Sequence, residues 1–147
     1  MENNSILGLM MRHHAALDLM LKLFGDEPDK KAGPAGKLFD DFRWELEKHI
    51  FAEDRVIFKL CGSMDSPECK LAEHLSIEHR ASLDFLDKIE KSKDEKDISG
   101  LQALLAEHRK TEEKDLYPRL DEILTQRQKE IVFEKINDLS SSGQPAA

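Results

Sequence analysis

Two phrases of the chain, HIFAEDRVIF at residues 49–58 and HRKTEEKDLY at residues 108–117, follow one plan. Each runs histidine, three residues, an acid, a second acid, two residues, an aliphatic and an aromatic. On a helix, residues four apart share a face, so His49 stands over Glu53 and His108 over Glu112. Imidazole nitrogens beside carboxylate oxygens form either a hydrogen-bonded acid–base couple or part of a metal site. The direction of that face decides between them. His49 and Glu53 continue a stripe with Leu38, Phe42, Glu45, Val56 and Leu60, and His108 and Glu112 lie among Leu101, Leu104, Leu105, Leu116 and Ile123. A carboxylate buried without a partner costs several kcal/mol, so it must be protonated, paired or bound to a metal. One pair is satisfied as a couple; two on different helices, both turned to the core, point to shared metal ions.

A second, looser repeat supports this. HHAALDLMLKL near the N-terminus resembles EHRASLDFLDKI in the middle of the chain. Each half then reads as a helical hairpin, the first with His14 followed by His49 and Glu53, the second with His79 followed by His108 and Glu112. Folding the hairpins together places four histidines and two carboxylates at one level, a set suited to two metals bridged by carboxylates. The spacing alone is weak, since His14–Asp18 and His74–Glu78 share it in an acid-rich chain. It also leaves His13 open beside His14, and His74 or Glu78 open beside His79.

The elements that must position these groups are legible. Apolar residues at helical spacing predict helices over residues 5–24, 35–60, 67–91 and 98–124. GDEPDKKAGPAGK and CGSMDS break the pattern, and KSKDEKD reads as a charged connection. Ser66 before Pro67 is a start signal, Pro118 should kink the fourth helix, and Thr125 with Gln128 suggests a capping box opening a short fifth helix over residues 126–139. Residues 1–140 are expected to form one domain, an all-α antiparallel up-down four-helix bundle with that short extra helix, and residues 141–147 a flexible tail.

Composition narrows the class. The 147 residues are 35% charged and 39% hydrophobic with a net charge of −8, which argues against nucleic acid as a partner. No apolar run approaches a membrane span and no basic-then-apolar leader opens the chain, so a cytoplasmic location without membrane contact is expected. Two cysteines, Cys61 and Cys69, are too few for a disulfide framework and read as ordinary thiols or a redox-sensitive pair. Glu45 is read as either an orienting group for His49 or exposed, and Trp44, Tyr117, Phe39, Phe42, Phe51, Phe58 and Phe85 mostly as core. No histidine follows a glutamate by three residues, as ferritin-like di-iron bundles require, and neither His-Glu-x-x-His nor a phosphate-binding glycine loop occurs.

His14, HIFAED, EHRASLDFL and above all HRKTEEKDLYP resemble the hemerythrin-like, or HHE cation-binding, domain family over nearly the whole chain. The resemblance implies a left-twisted bundle around two iron ions bridged by an oxo or hydroxo group. Carried over by position, the ligands are His14, His49, Glu53, His79, His108 and Glu112, with both glutamates bridging. Oxygen-carrying hemerythrins add a fifth histidine through His-x3-His on the third helix. Here His74 and His79 are five apart, which argues against simple reversible oxygen carriage and for a more open six-ligand site. The expected role is binding or sensing dioxygen, nitric oxide or peroxide; the alternatives are turnover of peroxide or nitric oxide, iron donation in iron–sulfur cluster repair, and an interaction module with structural metal.

Overall fold

The computed structural model describes residues 5–61 and 66–140, and among them there are helices and no strands. Helix α1 spans Ile6–Gly25 and α2 spans Gly33–Ala52. Without leaving the helical path, α2 continues as a π turn, Glu53–Ile57, and a short 3-10 turn, Phe58–Cys61. Helix α3 spans Pro67–Ser92 and α4 spans Glu95–Thr111. A second π turn, Glu112–Leu116, leads into α5, Tyr117–Ile123, and α6 spans Gln126–Ser140.

Local chemistry sets most of these ends. Ser5 accepts from the Gly8 N–H at 2.9 Å and Ser66 from the Cys69 N–H at 3.2 Å, each satisfying a helix-start donor. The expected capping box forms, Gln128 N–H to Thr125 Oγ1 at 3.1 Å and Thr125 N–H to Gln128 Oε1 at 2.8 Å. The charged connection is shorter than expected. Asp94 accepts from the Lys96 N–H at 2.9 Å and starts α4 at Glu95, so only Lys93, at a left-handed φ of 54°, and Asp94 join α3 to α4. The lysines and acids there coat the exposed face of helix ends rather than a loop.

The helices α1 and α2 pair as one hairpin and α3 and α4 as another; α1 also meets α4 and α5, and α2 meets α3, which closes a four-helix ring. Asp121 on α5 accepts from the Ile6 and Leu7 N–H groups at 2.8 and 3.1 Å, tying the start of α1 to the end of the fourth rod. Two apolar clusters fill the ring. One holds Ile6, Met10, Ile57, Leu75, Tyr117 and Leu120, with Val132 and Ile136 from α6; the other holds Leu17, Phe24, Phe39, Phe42, Leu46, Leu86 and Leu101. Burying each such side chain is worth about 1.5–3 kcal/mol. Between the clusters lies a buried polar layer.

Several sequence expectations change in detail. Leu46 and Ile50 face the core beside the stripe on which Glu45 was placed, and Ile57 does so where Val56 was expected; only the second change lies beyond the π turn at Glu53, which shifts the downstream register. Phe51 is half exposed rather than core. Cys69 is buried and disulfide-bonded, while the side chain of Cys61 and the tail at 141–147 lie outside the described residues. No helix among the described residues is long and apolar enough to cross a membrane.

Candidate metal centre

The polar layer consists of His14 from α1, His49 from α2, Glu53 from the first π turn, His79 from α3, His108 from α4 and Glu112 from the second π turn. None of the four histidines is more than 7% exposed, and both glutamates are fully buried. The two π turns open at the two glutamates. Phe58 donates its N–H to the Glu53 carbonyl and Tyr117 donates to the Glu112 carbonyl, each five residues back instead of four. Such turns gather at functional sites because they aim side chains that a regular helix would turn away.

The six side chains converge. Glu53 Oε1 lies 3.0 Å from His79 Nε2, 3.3 Å from His49 Nε2 and 3.8 Å from His108 Nε2. Glu112 reaches His14 Nε2 through Oε1 and His108 Nε2 through Oε2, both at 3.2 Å. Two overlapping quartets result, His14–His49–Glu53–Glu112 and Glu53–His79–His108–Glu112, each with its donor atoms within 4.8 Å of one another. The quartets share both glutamates, the arrangement needed for carboxylates that hold two cations.

Around these donors stands a second layer that the sequence reading did not assign. Glu113 contacts His14 Nδ1 at 2.6 Å and Asp54 contacts His79 Nδ1 at 2.9 Å. Glu78 contacts His108 Nδ1 at 2.8 Å, so Glu78 backs a neighbouring histidine and does not replace His79 in the inner layer. With a carboxylate accepting at Nδ1, the ring carries its proton there and turns Nε2 inward as a donor to metal. The repeated second acid of HIFAED and HRKTEE was the signal that could have located Asp54 and Glu113. Glu45 instead pairs with Lys48 at 3.3 Å. His13 is partly buried at the edge of the layer and His74 stands on the surface against Glu78.

Electrostatics show what this layer lacks as protein alone. Burial, reinforced by His49, pushes His14 down to about 3. Burial also opposes charge on His108, but Glu112 and Glu53 against its Nε2 outweigh it and push the group up to about 11. Burial and the charge of Glu53 hold Glu112 well above the usual carboxylate range, while His49 and its neighbours overcome burial and hold Glu53 well below. Two carboxylates this close cannot both ionise without positive charge between them, so a proton stays with one of the pair.

Several of the atoms that converge have no hydrogen-bond partner. His14 Nε2, His108 Nε2, Glu53 Oε2 and both oxygens of Glu112 are fully buried and make no hydrogen bond; between the two imidazoles and Glu112 there are only charge contacts at 3.2 Å. In a folded interior such groups are normally satisfied, and metal coordination satisfies all of them together. The donor set therefore fits bound metal.

A bundle of antiparallel helices carrying buried histidines and shared carboxylates at one level defines a cation-binding helical protein. The profile of the Hemerythrin HHE cation binding domain matches residues 5–120, and the chain belongs to that family. Helix α6 lies beyond the matched stretch. No curated protein and no solved structure gives a match.

Proposed function

We propose that the chain holds two iron ions, one in each quartet, through His14, His49, Glu53, His79, His108 and Glu112, and uses them to bind or sense a molecule of two to four atoms such as dioxygen, nitric oxide or peroxide. The sharing of Glu53 and Glu112 between two four-donor groups carries the two-metal reading. Imidazole with carboxylate suits iron, and four histidines with two carboxylates exceed what one tetrahedral zinc takes. When bound, the iron pair would supply the redox-active positions at which such a ligand attaches. The protein's part is to aim six donors, exclude water with the two apolar clusters and limit size. The open space within the layer is about 20 Å³, against the roughly 10–15 Å³ one water needs, which favours a ligand of a few atoms over an organic substrate.

Turnover of peroxide or nitric oxide is the second reading, and Tyr117 favours it. Its ring stacks on that of His14 at 6.2 Å, and its buried hydroxyl has no hydrogen-bond partner, which leaves a phenol beside the site able to give a proton.

Metal content and optical spectra of the aerobic and dithionite-reduced protein test the proposal. Two irons per chain with near-ultraviolet bands that bleach on reduction support it; a single zinc or no metal overturns it. Adding dioxygen, nitric oxide or peroxide then separates the readings, because a sensor's spectrum returns when the ligand is withdrawn and an enzyme consumes the ligand.

A further inference from the structure

The four inner histidines are not supported alike. His14, His79 and His108 each place Nδ1 against a carboxylate, from Glu113, Asp54 and Glu78 respectively. His49 does not: its Nδ1 is fully buried and has no hydrogen-bond partner. The pairing rule of the fold shows which residue should have served. Glu78, immediately before His79, backs His108 of the neighbouring helix. The residue immediately before His14 is His13, and its ring stands 6.1 Å from that of His49. An imidazole thus occupies the place in the first hairpin that a carboxylate occupies in the second.

A second observation concerns room. A cavity of about 320 Å³ lies among α1, α2 and α6, lined by His13, His49, Met20, Lys48, Ile136 and others. His49 can turn toward it. On the opposite side His79 lies flat against Phe58, with ring planes 5° apart at 5.8 Å, and is held at Nδ1 by Asp54.

We infer that the two metal positions are inequivalent, and that the ion between His14 and His49 is the exchangeable one while the ion between His79 and His108 is retained. The inference rests on the two-metal reading above. A carboxylate at Nδ1 raises the basicity of the ring and fixes its orientation, and losing such a partner costs about 10–100-fold in metal affinity. The first position has one histidine so supported and one free to turn toward open space; the second has both supported and one clamped. His13 is therefore a positioning residue by default: its type, rather than its contact with metal, sets the lability of its side of the pair.

The full chain, loaded anaerobically with cobalt(II) to two ions, is mixed with excess chelator and release is followed optically. Two phases of equal amplitude are expected, separated by about 10–100-fold in rate. His13→Glu should slow the fast phase toward the slow one. Glu78→Gln should quicken the slow phase and leave the fast one alone. Circular dichroism of each loaded variant checks folding, and the phases of the unsubstituted protein decide the matter if a variant does not fold. Release of both ions in one phase overturns the inference, and so does a Glu78→Gln effect confined to the fast phase. Uptake of fewer than two ions at saturation overturns the two-metal reading itself, and the inference with it.

Discussion

In the α1–α2 hairpin and in the α3–α4 hairpin, histidine, glutamate, π turn and aromatic fall at matching places, and in both the second acid reaches a histidine of another helix. The causes available to the two π turns are not the same. After the second, Pro118 has no N–H to give and cannot continue a regular ladder, so a local break is expected. After the first there is no proline, yet Phe58 still closes on the carbonyl of Glu53. What the two turns have in common is the buried glutamate at which they open. A distortion that recurs with and without a local cause is set by what it positions, here a carboxylate that must reach two histidines.

The comparison breaks first at those carboxylates. Because Glu53 and Glu112 each belong to both quartets, Glu53→Ala or Glu112→Ala should remove a ligand from both ions, and metal content should fall from two to one or none. A variant of either that retains two ions would show that the carboxylates do not bridge. Loaded and metal-free protein should also differ strongly in stability, since the metal-free layer keeps buried acids with only protons to offset them. We expect a melting difference of roughly 10 °C or more, at about 2–4 °C per kcal/mol for a chain of this size; equal melting would refute this.

That difference should depend on pH with a definite sign. The raised pKa of His108 contributes stability to the metal-free protein that is complete below 6.5 and lost as pH rises through about 11, and raised Glu112 acts in the same direction from 4.5 upward. Metal must displace those same protons, so its affinity rises over the same range. The melting gap should widen between pH 6.5 and about pH 9. A gap that narrows would mean that the layer is not protonated as described.

A smaller effect sharpens the likeness between the hairpins. Glu113→Ala and Asp54→Ala should each weaken metal binding about 10–100-fold without abolishing it, the first acting through His14 and the second through His79. Chelator competition measures both, and unchanged affinity in both would reduce the outer carboxylates to surface pairs.

These residues also mark where the sequence was readable. The inner pairs His49–Glu53 and His108–Glu112 were legible because helical spacing alone puts both members on an apolar stripe. Glu113 was not, since a residue roughly 100° from the core face reads as solvated until a neighbouring helix is placed beside it. There Glu113 finds α1, and Asp54 finds α3 in the same way. Choosing Ile57 over Val56 needed the π turn, which leaves no trace in periodicity. His14 and His13 both lie near the stripe of α1, and only the crossing of α2 and α4 makes one buried and the other partly buried.

The smallest difference between the hairpins is carried by two glycines. Gly36 lies near the start of α2, and a Cβ there meets nothing within 4 Å. Gly36→Ala should therefore stabilise by about 0.5–1 kcal/mol, the usual gain from removing glycine's freedom in a helix. Gly100 lies near the start of α4, where a Cβ would come within 2.7 Å of Phe85 Cε1 and 2.9 Å of Cζ. The same gain is available at Gly100, but the Phe85 ring must move, and overpacking costs about 1–3 kcal/mol. Gly100→Ala is thus expected to be neutral to destabilising by up to about 2 kcal/mol in denaturant melts of the metal-free chain. If both alanines stabilise equally, the Phe85 ring yields freely, and the close approach of α3 to α4 is not what sets the level at which His79 meets His108.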